Sequence, residues 1–306
     1  MRITVLSDGG WGTALAMNQV SNGHDVTIWG PFPDYLDEMR RTRRNPRFLA
    51  GVELPAGLRF EADMGKAVEG RDMLILATPT QYLRGVLAKL APVFDRERHV
   101  LVDVAKGIEI DSWLRISEMV ESVLGETRYV VLSGPSHAEE VSRRVPTAVV
   151  AASADLALAE LVQQSFINDN FRVYTGTDVV GVELGGALKN VMAIAAGIID
   201  GMKLGDNPKA ALMTRGISEM GRLGELLGGK AQTFSGLSGI GDLIVTCTSG
   251  HSRNRHVGEE LGRGKKLPEI LASMGMVVAE GVTTAKGAHA LARRVRAETP
   301  IIDEIY

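Results

Sequence analysis

The sequence predicts an α/β protein in which a doubly wound, mostly parallel sheet is followed by an all-helical region. Three observations carry this. Short β-branched runs alternate with longer helical patterns through the first half of the chain. A glycine-rich turn joins the first of those runs to the first helix. Past about residue 177, apolar residues recur at helical spacing and strand signals fade. The 306 residues fit roughly two domains, divided here as residues 1–180 and 181–306.

Taken in order, residues 3–6 form a strand candidate and 13–21 a helix closed by Asn22-Gly23. Strands are expected at 26–29, 73–77, 100–104, 129–132, 148–152 and 172–174. Each is a short apolar run between turn residues. Helices are expected at 181–201, 209–224, 254–262, 267–274 and 283–296. There is no internal repeat and no long flexible linker.

Composition narrows the function classes. Hydrophobic residues make up 45% of the chain and charged residues 23%, which excludes a disordered chain. With 34 basic and 37 acidic residues the net charge is −3, so no global basic field points to nucleic acid. Cys247 is the only cysteine, which excludes an intrachain disulfide and fits a reducing compartment. The apolar run after Met1 is too short for a signal peptide. The stretch 184–199 is broken by Lys189 and Asn190, so no membrane span is expected. The protein is read as cytoplasmic.

The first strand runs into Ser7-Asp8-Gly9-Gly10-Trp11-Gly12 and then a helix, the place of a dinucleotide-binding loop. There the free N–H groups and dipole of a helix N-terminus hold a pyrophosphate. The pattern is incomplete, since Ser7 stands at the first glycine position and Asp8 adds a negative charge. An ordinary glycine-rich turn is the competing reading. The second strand ends Trp29-Gly30-Pro31-Phe32. It carries neither the carboxylate that favours the NAD ribose nor the arginine that favours the NADP phosphate. Asp34 comes late. Arg40, Arg41, Arg43 and Arg44, on a helical stretch, read chiefly as a solvated face.

Lys189 is the most informative residue. It is a lone cation in an apolar stretch rich in small residues, so it must either snorkel to water or sit in a polar site with a lowered pKa. Asp242, between a glycine-rich turn and an apolar run, suits either a helix cap or a hydrogen-bond acceptor. Ser252, Arg253 and Asn254 stand at a helix start, where an arginine fork suits a phosphate monoester or is simply exposed. Lys106-Gly107 and Ser133-Gly134-Pro135-Ser136-His137-Ala138 follow strand ends, where open α/β sheets bind ligands. The six histidines show no metal-ligand spacing, and Cys247 reads as core.

Together these motifs resemble the bacterial NAD(P)-dependent glycerol-3-phosphate dehydrogenases. The resemblance rests on Trp11-Gly12-Thr13-Ala14-Leu15-Ala16, Asn22-Gly23-His24-Asp25-Val26, Leu132 to Val141, and Gly186-Ala187-Leu188-Lys189-Asn190-Val191. It extends through Gly205-Asp206-Asn207, Thr214-Arg215-Gly216, Gly241 to Cys247 and Ser252-Arg253-Asn254, and so covers nearly the whole chain. It implies a Rossmann-like dinucleotide-binding domain and a helical substrate domain. It also implies NADPH or NADH as cofactor, reversible reduction of dihydroxyacetone phosphate to sn-glycerol 3-phosphate for phospholipid synthesis, and a homodimer. Lys189 matches the family's proton donor/acceptor. Lys106, Gly134, Ser136, Asp242, Ser252, Arg253 and Asn254 match substrate positions. Gly10, Trp11, Lys106, Ala138, Arg253, Val277 and Glu280 match cofactor positions, with Ala279 as an extra residue near the last two.

The sequence departs from the family at Ser7, Asp8 and Pro31, and it stops at Tyr306, about where a last helical segment is expected. A shorter tail is expected to loosen the C-terminal domain or its dimer contact. Two rival readings stay open: a dehydrogenase of the same plan acting on a carboxylated ketone, and a catalytically silent binding protein.

Overall fold

The computed structural model describes all 306 residues, and the chain divides into two compact units. The first comprises Met1–Ala105, Ser117–Leu132 and Ser136–Thr177; the second comprises Lys106–Ile116, Ser133–Pro135 and Asp178–Tyr306. Where the sequence suggested one cut near residue 180, two short segments after β-strands therefore join the second unit. They carry Lys106 and Gly134.

The first unit holds strands β1 (Arg2–Leu6), β2 (Asp25–Trp29), β3 (Arg44–Asn45), β4 (Leu49–Glu53), β5 (Arg59–Glu61), β6 (Met73–Leu76), β7 (Val100–Asp103), β8 (Arg128–Ser133), β9 (Thr147–Ala152) and β10 (Phe171–Gly176). Its helices are α1 (Gly10–Ser21), α2 (Pro33–Thr42), α3 (Met64–Val68), α4 (Thr80–Leu90), α5 (Ile116–Leu124), α6 (Ala138–Val141) and α7 (Leu156–Phe166). Eight strands form one sheet in the order β10-β9-β8-β7-β6-β1-β2-β5. The registers from β8 through β7, β6, β1 and β2 to β5 are parallel, as is that of β9 with β10.

The strands are almost continuously apolar because both faces are covered. Ile3, Val5, Val26, Ile28, Met73, Ile75, Val102, Val130 and Val149 are all buried in one core. Every strand expected from the sequence is present. The edge strand β5 and the antiparallel hairpin β3–β4 were not expected. The arginine run is not one helical face either. Helix α2 ends at Thr42 and Arg43 turns left-handed at φ 52°. The Arg43 guanidinium stacks 5.3 Å over the Phe60 ring and donates to the Leu58 carbonyl, while Arg40 donates to the Phe60 carbonyl at 2.9 Å. These cations bind their own unit's backbone.

The second unit holds α8 (Val179–Gly201), α9 (Asp206–Leu226), α10 (Ala231–Phe234), α11 (Asp242–Thr248), α12 (Arg253–Gly262), α13 (Leu267–Ser273), α14 (Glu280–Val295) and α15 (Pro300–Ile305). Helix α8 starts where Asp178 accepts from the Gly181 N–H at 2.9 Å, a side-chain N-cap. It is long and apolar enough to cross a bilayer, yet 89% of its most apolar window is buried inside the protein, so here it is a core helix. Its small residues have a packing reason. A Cβ on Gly258 of α12 would lie 1.9 Å from the Ile194 carbonyl oxygen, and one on Gly197 would lie 2.0 Å from that of Arg255. The α8 and α12 backbones therefore touch, which only glycine permits.

Candidate active site

Lys189 sits in the middle of α8, where no snorkelling route reaches water; the residue is 6% exposed. Its Nζ donates to Asp242 Oδ1 at 3.0 Å and to Thr246 Oγ1 at 2.6 Å. The other carboxylate oxygen, Asp242 Oδ2, accepts from Lys106 Nζ at 2.6 Å, and Lys106 also donates to the Gly134 carbonyl at 2.9 Å. Asp242 is thus clamped between two ammonium groups and is 1% exposed. Of the two sequence readings of Asp242, the acceptor stands and the cap falls. The residue preceding the helix is Gly241, and the side chain turns to the lysines.

Local backbone puts these groups together. A π-helical turn at Leu237–Gly241 leads into α11 and sets Asp242 at its first position; single π turns recur at functional sites. Gly134 has φ 145°, which side-chain-bearing residues rarely adopt, and this aims its carbonyl at Lys106. Asn190 donates to the Lys106 carbonyl at 2.9 Å, Asn254 donates to Asn190 Oδ1 at 2.8 Å, and Asn254 Oδ1 accepts from the Gly281 N–H at 2.9 Å. Ser252 caps α12 by accepting from the Arg255 N–H at 3.2 Å. One buried chain of hydrogen bonds therefore ties together Lys106, α8, α12 and the start of α14.

The electrostatics follow from this packing. Burial pulls the Lys189 ammonium down to about 8 from its usual 10.5. Asp242 opposes that shift and Lys106 adds to it. Burial alone would raise the Asp242 carboxyl, but Lys106 and Lys189 outweigh it and hold the group below the usual carboxylate range. Cys247, one turn on, is pushed up to about 12 by burial and is a core thiol rather than a nucleophile. The pairings leave a fixed carboxylate and a lysine that can exchange a proton near neutral pH.

In the first unit, β1 and α1 frame the glycine loop. Helix α1 begins without a side-chain cap, so its first N–H groups are free for an anion. The Gly9 N–H donates to Ser7 Oγ at 3.0 Å, so Ser7 tightens the turn that the missing glycine would have made. A Cβ on Gly10 would lie 2.4 Å from the Phe48 carbonyl oxygen, which fixes this loop against the hairpin. The donor set suits the pyrophosphate of a dinucleotide. The loop also holds two buried atoms without partners, Asp8 Oδ2 and Trp11 Nε1.

Comparison with known proteins agrees. Residues 2–159 match the family described as NAD-dependent glycerol-3-phosphate dehydrogenase N-terminus, and residues 178–306 match its C-terminus. The chain belongs to the NAD-dependent glycerol-3-phosphate dehydrogenase family. It is 52% identical to the glycerol-3-phosphate dehydrogenase [NAD(P)+] of Geobacter sulfurreducens, over all of this chain and 91% of that protein. It is 51% identical to that of Bacillus pumilus, over all of this chain and 89% of that one. The crystal structure of glycerol-3-phosphate dehydrogenase from Coxiella burnetii is 37% identical with a TM-score of 0.95, covering 99% of this chain and 93% of that one.

The chain is accordingly an oxidoreductase of glycerol 3-phosphate that uses NADH or NADPH, and neither rival reading is retained. Lys106, Gly134, Lys189, Asp242 and Asn254 are brought into one hydrogen-bonded cluster. Arg253 opens α12, exposed, with a guanidinium nitrogen 3.5 Å from the Val278 carbonyl. Val277 precedes α14 and Glu280 begins it. Gly10, Trp11, Ser136 and Ala138 lie in the first unit. Sequence reasoning did not single out Thr246 or Asn190 as site residues. Thr246 lies one helical turn from Asp242, and Asn190 adjoins Lys189, so those two spacings were the available signal.

Proposed function

We propose that Lys189 is the proton donor and acceptor at the C2 oxygen of the substrate, and that reduction of dihydroxyacetone phosphate to sn-glycerol 3-phosphate is the direction used for glycerophospholipid synthesis. The buried Lys189 ammonium, held by Asp242 and Thr246 near a pKa of 8, carries this reading.

When bound, NADH or NADPH supplies the hydride that reaches C2. As that hydride arrives, the carbonyl oxygen gains negative charge. An ammonium at hydrogen-bond distance stabilises the charge and transfers its proton, leaving a neutral amine. Asp242 aligns Lys189 and keeps the amine protonated at rest. Lys106, on the same carboxylate, contributes positive charge beside the oxygen. In oxidation Lys189 acts in reverse and must start neutral.

The remaining residues take the roles implied by position. Gly134, Ser136, Ser252, Arg253 and Asn254 bind substrate with Lys106, Lys189 and Asp242. The Arg253 fork suits the phosphate, whose remote binding energy holds the carbonyl in register. Gly10, Trp11, Ala138, Val277 and Glu280, with Lys106 and Arg253, hold the cofactor. Residues 1–180 serve as the cofactor domain and 181–306 as the substrate domain. We further propose a cytoplasmic homodimer, to be checked by sedimentation. Absorbance at the reduced-nicotinamide band tests the reaction. Consumption of NADH or NADPH that depends on dihydroxyacetone phosphate, and is lost in Lys189→Ala, is expected. Full turnover in that variant overturns the role of Lys189.

A further inference from the structure

The loop between β1 and α1 holds a buried carboxylate that hydride transfer does not use. Asp8 is 6% exposed, and its Oδ2 has no hydrogen-bond partner. Its backbone is fixed, because Asn45 donates to the Asp8 carbonyl and to Thr13 Oγ1, each at 2.8 Å. Tyr35 in turn donates to Asn45 Oδ1 at 2.6 Å.

The side chain lies against the end of β2. In the parallel register of β1 and β2, Leu6 pairs with Trp29, so Ser7 and Asp8 come level with Gly30 and Pro31. A Cβ on Gly30 would lie 2.8 Å from Asp8 Oδ2 and 3.0 Å from Asp8 Cγ. The carboxylate thus fills the space that the missing side chain leaves. This is the place where doubly wound dinucleotide folds carry an acid for the adenosine ribose hydroxyl, or an arginine for the 2′-phosphate. Here β2 itself ends with neither.

We propose that Asp8 is the cofactor-specificity residue: delivered from the glycine loop into the gap at Gly30, it accepts the ribose 2′-hydroxyl of NADH and repels the 2′-phosphate of NADPH. Burial strengthens the repulsion, since a charge away from water is poorly screened. Burial raises the Asp8 carboxyl above its usual range; a backbone hydrogen bond at Asp8 opposes this most, followed by the charge of Arg47. Its guanidinium, however, is stacked 4.1 Å over the Tyr35 ring, on an exposed residue where solvent screens its charge. The inference rests on the dehydrogenase reading of the same fold.

Fluorescence titration of the full-length, cofactor-free protein with NADH and NADPH, at one ionic strength, tests it. Wild type is expected to bind NADH about tenfold or more tightly than NADPH, since a like-charge contact suppresses the wrong partner. In Asp8→Asn, NADPH binding is expected to tighten by about tenfold while NADH binding holds, because an amide still pairs with a hydroxyl. In Asp8→Ala the preference narrows further as NADH weakens. Asp8→Asn removes a desolvated charge, so its melting temperature is expected to match or exceed wild type. An unchanged NADPH:NADH ratio in both variants overturns the proposal. So does a wild-type preference for NADPH that Arg47→Gln abolishes. Folded wild type that binds neither cofactor overturns the dehydrogenase reading as well, whereas tight binding of both with an Asp8-independent ratio overturns only the role of Asp8.

Discussion

The glycine loop of the first unit and the lysine–aspartate cluster of the second handle buried charge in opposite ways. In the second, Asp242 meets two lysines, Lys189 meets Thr246, and the asparagines close the ring around them. Each charge of that cluster has a partner inside the protein. In the first, the glycine loop offers unpaired N–H groups at α1 and a carboxylate oxygen, Asp8 Oδ2, that nothing in the protein satisfies. The closed network tunes a proton, and its residues must be held still and shielded from water. The open one leaves partners for a ligand to bring. A buried polar atom without a partner is costly unless something arrives to bond it.

Breaking the closed network has the largest expected effect. Lys189→Ala removes the proton donor and is expected to lower kcat by about 10²–10⁴-fold. Cofactor affinity, measured by fluorescence titration, should stay near wild type; a kcat within a few-fold of wild type contradicts the role. Asp242→Asn comes next. It leaves two ammonium groups facing each other without their carboxylate, and loss of one partner of a buried pair costs about 3–5 kcal/mol. The melting temperature should fall well below wild type, and whatever activity survives should show its lysine inflection below pH 8. An inflection that stays in place would mean Asp242 does not act on Lys189.

Smaller changes sharpen the contrast. Thr246→Val keeps shape but deletes the hydroxyl that accepts from Lys189, at a cost of about 1–3 kcal/mol. A melting temperature equal to wild type would show the contact to be dispensable. Gly258→Ala forces α12 off α8 and should destabilise by about 1–3 kcal/mol in denaturant unfolding, without touching a charge. The mildest perturbation, a change of pH alone, reads out as a stability slope. With the Lys189 pKa lowered from 10.5 to about 8, the unfolded chain binds more protons in that interval. The stability contributed by Lys189 therefore rises with pH from about 8 to 10.5. Chemical denaturation of wild type against Lys189→Met across those values reads the sign.

Much of this contrast was legible in the chain. Lys189 announced itself as a lone cation in a run of small and apolar residues, and the parallel strands as short apolar runs between turns. What stayed hidden was set by distance along the chain. Lys106 lies 136 positions from Asp242, and Lys189 lies 53 from it, so no local pattern shows that one carboxylate serves both. Strand β5 has only three residues and no period to detect. Arg43 was placed in a helical run because propensity does not show a left-handed turn forced by contacts with Phe60 and Leu58. Asp8 was visible as an unwelcome negative charge near an anion site, and only the register of β1 with β2 places it opposite Gly30.

The most direct test of Lys189 as the tuned proton carrier is the pH dependence of kcat/KM for glycerol 3-phosphate oxidation, which reports the free enzyme. Oxidation needs neutral Lys189, so kcat/KM is expected to climb about tenfold per pH unit and level off above an inflection near 8. A profile flat from about pH 7 to 9.5, where no other unperturbed side chain but cysteine titrates, would contradict it.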